Sequence, residues 1–163
     1  MTDETMSVVH EAADSLVALA AGLRPRVLVI LGSGLGAVAD GVETVATATF
    51  GELHGFASSN VPGHAGRFVF GMIGETPVMA MVGRLHLYEG HSSDRVVLPI
   101  RAARMLGCEV LIATNAAGGI TPGLAVGQTM MVSDHINLLG ANPLTGPNLD
   151  ELGVRFPPMA DAY

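Results

Sequence analysis

The sequence has no lysine and a single cysteine, and these two absences exclude several kinds of chemistry. All eight basic side chains are arginine, which rules out Schiff-base catalysis, attachment of pyridoxal phosphate and the lysine of a P-loop. Cys108 has no second cysteine with which to form an internal disulfide or a multi-cysteine zinc site. The six histidines show no HExxH-type spacing. The sequence therefore predicts no metal site and no bound cofactor.

Positive charge is also too sparse for a nucleic-acid-binding protein. Only 14% of the residues are charged and the formal net charge is −7, whereas a nucleic-acid site needs a concentrated basic face. The N-terminus is acidic, unlike that of a signal peptide, and no apolar run is long enough to span a bilayer. We therefore expect no nucleic-acid partner, no membrane partner and a cytoplasmic location.

The mean hydropathy of the chain, +0.46, is high for a soluble monomer. Much apolar surface must be buried, either in a core or against another subunit. We therefore expect an oligomer. The alternative is that the chain is a piece of a longer one.

Hydrophobic periodicity predicts an α/β fold in which a mixed, twisted β-sheet is flanked by helices. Helices are predicted over residues 5–21 and from Ser92 or Ser93 to about Leu106. The predicted strands are Val27–Leu31, Thr44–Phe50, Arg67–Met72, Thr76–Val82, Val110–Thr114 and Thr129–Ser133, with a turn at Gly74 and Glu75. Residues 142–158 are predicted to form a long loop, of the kind that is usually functional or at an interface. No linker or repeat is visible, so residues 1–163 are predicted to form a single domain.

The most polar segment of the chain is Gly83–His91, which gathers an arginine, two histidines, a tyrosine and a glutamate around two glycines. Polar groups on such a loop more often bind a ligand than fill a core. Arg84 can form a two-pronged contact with a phosphate, and in an extended segment His86 and Tyr88 point the same way. Glu89 can orient a neighbour. The alternative is a solvated loop with a local arginine–glutamate pair.

A second glycine-rich segment, Gly32–Ala37, follows the first predicted strand. It formally matches the dinucleotide fingerprint GxGxxG/A, with Glu52 about where a ribose-binding acid belongs. Barely one helical turn follows it, however, whereas the dinucleotide fold needs a long helix. Backbone N–H groups together with the Ser33 hydroxyl suit a small oxyanion such as phosphate. An ordinary tight turn is the remaining alternative.

Three further positions carry weaker signals. His64 lies on a glycine loop and is as compatible with a structural role as with a functional one. The small residues of Asn115–Gly119 suit a backbone that approaches a ligand closely. We interpret His135 as structural, because the chain has no GxSxG elbow that would supply a serine nucleophile.

Glycine-rich loops at three strand ends, with Ser33, Arg84 and His86, predict a phosphate cradle that uses no metal. Five motifs then carry a resemblance in order along the chain: Gly32–Gly36, Pro62–His64, Gly83–Gly90, Thr114–Gly119 and Ser133–Asn137. Together they resemble the trimeric class of purine nucleoside phosphorylases from about Val27 to Tyr163. Methylthioadenosine phosphorylases share that fold, but Asn115–Gly119 is similar to the purine nucleoside branch.

The resemblance implies a role for each matching position. The residues expected to hold phosphate are Ser33, His64, Arg84, His86 and, through its backbone N–H, Ala116. The expected catalytic residues are His86 and Glu89, with Glu89 organising the hydrogen bonds of the phosphate site. The residues expected to contact the nucleoside are Tyr88, Ala117, Gly118 and Phe156. The resemblance also implies a homotrimer, in which Phe156 reaches across to a neighbouring site.

The activity implied is phosphorolysis of 6-oxopurine ribo- and deoxyribonucleosides to the free base and pentose 1-phosphate, in purine salvage. Inorganic phosphate is then a co-substrate that attacks the ribose itself, so no activated side-chain nucleophile is needed. The alternatives are a non-catalytic phosphate- or nucleoside-binding fragment and a methylthioadenosine phosphorylase. A dinucleotide-dependent oxidoreductase is a third reading that the fingerprint leaves open.

The family's chains continue well beyond the position that matches Tyr163. Their base-recognition residues come from that later part, so purine specificity rests here on the resemblance alone. The chain resembles the N-terminal portion of the fold, and we expect residues 1–163 by themselves to be inactive.

Overall fold

The computed structural model describes residues 2–57, 66–160 and 163, and within these ranges one mixed sheet carries two α-helices. The helices are α1 (Thr2–Leu19) and α2 (Ser93–Leu106). The strands are β1 (Val27–Leu31), β2 (Glu43–Thr49), β3 (Arg67–Ile73), β4 (Thr76–Val82) and β5 (Val110–Ala113). Short 3₁₀ segments lie at Gly36–Gly41, Phe50–Glu52, Leu87–Glu89 and Asp150–Leu152.

The order of the strands across the sheet is β2-β3-β4-β1-β5. β1 runs parallel to both β4 and β5, whereas β3 runs antiparallel to β2 and to β4. β3 and β4 form a hairpin whose turn is Gly74 and Glu75, with Gly74 in the left-handed conformation that glycine adopts without strain (φ +58°). The carboxyl ends of β1, β4 and β5 therefore lie at the same edge of the sheet as the first residue of β3.

Alternate residues of the central strands pack on the two faces of the sheet, as the strand period of two requires. On one face, Phe68, Phe70 and Met79 form the main core with apolar residues of α1 and α2. On the other face, Val69, Val78 and Ala80 pack with Leu31 and with residues of the Gly36–Gly41 segment and its end. The predicted fold class, a mixed sheet flanked by helices, is confirmed.

Most of the predicted elements are present within one to three residues of their predicted ends, but one predicted strand is wrong. Within the described ranges, no strand includes Thr129–Ser133. The segment has the β-branched and apolar composition of a strand, yet in the part of the chain that the structure describes it makes no ladder with β5, which pairs there only with β1. A strand exists only through hydrogen bonds to a neighbour, so composition alone was insufficient.

The predicted long loop, 142–158, contains one 3₁₀ turn and contacts the helices. Leu149 and Leu152 pack against the main core, and the His10 Nε2 to Glu151 Oε2 distance is 3.0 Å. Arg101 of α2 donates a hydrogen bond to the carbonyl of Pro143 (3.1 Å). No helix in the part of the chain that the structure describes is long and apolar enough to cross a membrane.

Candidate functional site

The glycine-rich loops predicted to bind a ligand meet at one edge of the sheet. β1 leads into Gly32, β4 into Gly83 and β5 into Thr114. These three strands are neighbours and parallel, so their carboxyl ends open side by side. Ligands of open α/β sheets bind at this end of the strands. The fold therefore brings together loops that are about 30 to 80 residues apart in the sequence.

A cavity of about 360 Å³ lies at this edge. Its lining residues are Leu31, Gly32, Ser33, Gly34, Gly36, Arg67, Val82, Gly83, Arg84 and His86. This lining includes two arginines and a histidine. Among the described residues, no carboxylate belongs to it. In a chain with a net charge of −7, this arrangement favours an anion, which the hydroxyl and the backbone N–H groups of the Ser33 loop can also bind.

Arg84 lies directly over the loop that follows β1. Its Nη1 donates a hydrogen bond to the carbonyl of Thr114 (3.2 Å). A Cβ atom added to Gly32 would lie only 2.9 Å from that Nη1 and 2.7 Å from the same carbonyl oxygen. Only glycine therefore allows the loop, the guanidinium and the end of β5 to approach this closely. The guanidinium is held next to the Ser33 loop as a result.

His86 is held by Glu89, three residues later. One carboxylate oxygen, Oε1, accepts a hydrogen bond from the His86 backbone N–H (2.9 Å) and lies 2.7 Å from the imidazole Nδ1. The other oxygen, Oε2, is 3.9 Å from Nε2 of His91. The Glu89 side chain is 7% exposed and that of His86 is 20% exposed. This carboxylate fixes the orientation of His86 through both contacts.

The structure brings together only some of the predicted site residues. Ser33, Arg84 and His86 line the cavity. Glu89 is not part of the lining but contacts His86, which is. Tyr88 stacks on the His86 ring (centroids 4.7 Å apart) but is 76% exposed. His64 lies outside the described residues.

Four further predicted site residues lie on exposed segments outside this cavity: Ala116, predicted to hold phosphate through its backbone N–H, and three residues predicted to contact the nucleoside. Ala116, Ala117 and Gly118 follow β5 and are exposed. Phe156 is 86% exposed, and its ring lies 5.6 Å from the Arg155 guanidinium carbon. None of these four residues lines the described cavity. The phosphate contact of Ala116 and the nucleoside contacts of Ala117, Gly118 and Phe156 stay predictions.

Arg67 is the cavity residue that sequence reasoning missed. It is the first residue of β3 and pairs with Val82, the last residue of β4. Because β3 runs antiparallel to β4, its start lies at the edge where β4 ends. The signal in the sequence was the hairpin turn at Gly74, since a hairpin places the start of its first strand beside the end of its second.

The dinucleotide reading of Gly32–Ala37 does not agree with the structure. The glycine loop leads into the six-residue 3₁₀ segment Gly36–Gly41 rather than into a long helix. Glu52, the proposed ribose-binding acid, instead accepts hydrogen bonds from the Thr49 hydroxyl and backbone N–H (both 2.7 Å). Both hydrogen bonds lower the pKa of Glu52, and the bond from the Thr49 hydroxyl has the larger effect. Its carboxylate caps the Phe50–Glu52 turn.

Two other sequence interpretations concern histidines and metals. Nδ1 of His135 lies 2.6 Å from the Tyr163 hydroxyl, away from the cavity lining. Among the residues that the structure describes, no group of three or more histidine, cysteine, aspartate or glutamate side chains is placed to hold a metal ion.

Comparison with known proteins shows similarity to one family over most of the chain. A family model described as the phosphorylase superfamily matches residues 26–163. The purine nucleoside phosphorylase of Bos taurus is 49% identical over 143 residues, which cover 86% of this chain and 50% of that protein. Purine nucleoside phosphorylase 1 of Geobacillus stearothermophilus is 48% identical over 139 residues, covering 85% of this chain and 51% of that protein.

A solved structure gives the same result at the level of the fold. The crystal structure of Schistosoma mansoni purine nucleoside phosphorylase in complex with inosine is similar with a TM-score of 0.87 and 38% identity. The similarity covers 96% of this chain and 56% of that chain. The chain thus spans about half the length of the curated relatives it matches. The resemblance carried by the five sequence motifs is confirmed.

Proposed function

This chain belongs to the phosphorylase superfamily, and from that membership we propose that it serves the phosphorolysis of purine nucleosides. The products are the free base and a pentose 1-phosphate, formed in purine salvage. The relatives are named purine nucleoside phosphorylases and one solved relative holds inosine, which favours this substrate class over methylthioadenosine. This chain supplies the phosphate-binding part of the site.

One observation carries the proposal: the cavity at the carboxyl edge of the sheet is lined by cationic groups in an acidic chain. Arg84 and Arg67 offer guanidinium donors, and Ser33 offers a hydroxyl beside backbone N–H groups. Such donors bind a phosphate dianion through charge-assisted hydrogen bonds. The backbone N–H of Ala116 and the side chain of His64 are proposed as further contacts.

In the proposed reaction, phosphate is the nucleophile. One of its oxygens attacks C1′ of the ribose while the bond from C1′ to the purine nitrogen breaks, and the base leaves with that electron pair. The ribose passes through a state with oxocarbenium character, which the adjacent phosphate charge stabilises. The protein's part is to align phosphate and sugar, and phosphate binding places the nucleophile next to C1′.

His86 and Glu89 are the proposed catalytic pair. The Glu89 carboxylate, 2.7 Å from Nδ1 of His86, orients the imidazole at the cavity that this histidine lines, where it is proposed to contact phosphate. His86 thereby adds an oriented imidazole to the guanidinium groups of Arg84 and Arg67. Glu89 acts through His86 and through the backbone N–H that it accepts.

The nucleoside side of the site is proposed to form with help from a second subunit. Tyr88 stacks on the ring of His86, which lines the cavity, and is 76% exposed, so we propose that it contacts the ribose. Phe156 is exposed and is proposed to reach the site of a neighbour within a homotrimer. Ala117 and Gly118 are proposed as the remaining nucleoside contacts. One domain over residues 1–163, a cytoplasmic location and the absence of a cofactor, with phosphate as a co-substrate, also stay predictions.

The first experiment measures binding of inorganic phosphate to the 163-residue chain by isothermal titration calorimetry at constant ionic strength. We expect Arg84→Ala to weaken binding by at least about 30-fold, because loss of one partner of a charged pair costs about 2 kcal/mol or more. The matched control is Arg26→Ala. Arg26 pairs with Glu109 at the opposite end of β1 and is 69% exposed, so its loss should leave phosphate affinity unchanged. Equal effects of the two variants would contradict a phosphate site at Arg84.

The second experiment measures phosphate-dependent release of hypoxanthine from inosine. It compares this chain with a chimera that adds the part of the Geobacillus stearothermophilus relative left unmatched by the alignment. We expect release from the chimera and none from the chain alone, since the family's base-recognition residues lie beyond the matching region. A folded chimera that binds phosphate without releasing hypoxanthine would favour the non-catalytic binding alternative.

A further inference from the structure

Thr114, the residue directly after β5, forms hydrogen bonds with two residues that line the cationic cavity, Gly32 and Arg84. Its hydroxyl donates a hydrogen bond to the carbonyl of Ile30 (2.8 Å) and accepts one from the backbone N–H of Gly32 (2.9 Å). Its own carbonyl accepts the hydrogen bond from Arg84 Nη1 (3.2 Å). One residue therefore connects the end of β1, the glycine loop and the arginine.

The hydroxyl performs both of its roles at once, since a threonine oxygen offers one donor hydrogen and two acceptor positions. Gly32 is buried, so its N–H needs an acceptor within the protein. It precedes Ser33 and Gly34, which line the cavity. A shift of Gly32 therefore moves the hydroxyl and the backbone groups that face a bound anion.

The close approach around Gly32 makes this connection tight. A Cβ atom at Gly32 would contact the Thr114 carbonyl at 2.7 Å and the Asn115 Cα at 3.1 Å. The loop is therefore held against the start of the Thr114–Gly119 segment with no space for a side chain. Small displacements of Thr114 are passed directly to the loop and to Arg84.

We propose that the Thr114 hydroxyl is a positioning group that holds the Gly32 loop and Arg84 in the geometry that binds phosphate. The inference rests on the proposed function, because that function makes phosphate the ligand of this cavity. Thr114 does not line the described cavity itself; it acts through Gly32 and Arg84.

The test uses three variants of the 163-residue chain and inorganic phosphate as the probe. Thr114→Val removes the hydroxyl at nearly constant shape and keeps the carbonyl that accepts from Arg84. We expect phosphate affinity to fall about three- to tenfold, because both hydrogen bonds of the hydroxyl are lost and the Gly32 N–H is left unsatisfied. Thr114→Ser keeps the hydroxyl and should restore most of the affinity.

The control is Thr47→Val on β2, at the other side of the sheet. The Thr47 hydroxyl also donates to a backbone carbonyl, that of Phe68 (2.8 Å), in a hydrogen bond that is partly buried. Thr47→Val should lower the melting temperature without changing phosphate affinity. An equal loss of affinity in Thr47→Val, or unchanged affinity in Thr114→Val, would overturn the positioning role.

A second measurement keeps this proposal separate from the proposed function. Amide hydrogen exchange of Gly32, followed by NMR without phosphate, should speed up in Thr114→Val and not in Thr47→Val. If the unmodified chain binds no phosphate, the proposed function is contradicted and the exchange data alone decide the role of Thr114. Unchanged protection of Gly32 in Thr114→Val overturns it; selective loss of protection supports it.

Discussion

The surroundings of Cys108 clearly change the acidity of its thiol. It is buried among the core residues next to the end of α2. Burial disfavours the thiolate and raises the pKa of the thiol from 9.0 to about 11. Because the thiolate is the reactive form, Cys108 is expected to be inert at neutral pH.

The Cys108 pKa predicts how stability depends on pH above neutrality. The folded pKa lies above the unfolded one, so the thiol's contribution is fully present below pH 9 and is lost as pH rises toward 11. The chain has no lysine and two tyrosines, so few other groups titrate in this window. Urea unfolding between pH 8 and pH 11 should show a smaller decline in Cys108→Ser than in the unmodified chain.

A direct check is the reaction of Cys108 with a disulfide reagent at pH 8. We expect slow modification of the folded chain and fast modification after unfolding in urea. Equal rates in both states would contradict the burial-raised pKa.

At the scale of elements, the start of α2 links the polar loop to the rest of the fold. The Ser92 hydroxyl accepts a hydrogen bond from the backbone N–H of Arg95 (3.4 Å), which caps the helix. The negative charge of Asp94 in the first turn interacts favourably with the positive end of the helix dipole. The cap determines where the Gly83–His91 loop ends and the helix begins.

Ser92→Ala should lower the free energy of unfolding by about 1 kcal/mol, the usual cost of losing a serine cap. The matched control is Ser7→Ala in α1, where the serine is an exposed helix-interior residue bonded to Glu11 (3.3 Å). Alanine has the higher helix propensity, so the control should be neutral or slightly stabilising. Urea denaturation of the three chains measures both effects. A destabilised control with a neutral Ser92→Ala would contradict the assigned cap.

The central elements could be predicted because local pattern and tertiary packing agree there. Val27–Leu31 is an apolar run buried between two parallel neighbours, and Thr76–Val82 follows a glycine turn. The start of α2 carried a serine cap in the sequence. Burial, turn chemistry and capping are local signals, so they are visible without the fold.

The missed features depend on neighbours that the sequence does not specify. Thr129–Ser133 looks like a strand but has no partner strand among the described residues. Arg67 joins the cavity only because β3 runs antiparallel to β4. Ser33, Arg84 and His86 could be foreseen as site residues because each lies on a glycine-rich loop after a strand. The contacts of Thr114 with Gly32 and Arg84 depend on pairing between β1 and β5.

At the scale of the whole molecule, one edge of the sheet has a distinctive surface. Val110, Leu111 and Ile112 of β5 are 46–49% exposed, and within the described ranges β5 pairs on one side only. Large apolar residues further along, such as Ile120 and Met131, are almost fully exposed. Exposed apolar surface of this kind binds partners, dyes or other copies of the chain.

Leu111→Lys should therefore reduce both the binding of 1-anilinonaphthalene-8-sulfonate and concentration-dependent association. A charge on an edge strand opposes edge-to-edge pairing and breaks the apolar surface. The matched control is Val45→Lys on β2, the opposite edge strand, where the side chain is 54% exposed. Dye fluorescence and analytical ultracentrifugation measure the two effects. Equal changes in the two variants would show that the β5 edge is not the adhesive surface.

The hydrogen bond between Gly32 and Thr114 also has a kinetic consequence. It joins residues 82 positions apart, and the chain must close that whole loop before β5 can align beside β1. Contacts of such long range form late and slow the search for the native state. The anion-binding geometry therefore does not exist in partly assembled chains. Phosphate should slow unfolding more than it speeds refolding. It binds, and therefore stabilises, only molecules that have already crossed the folding barrier.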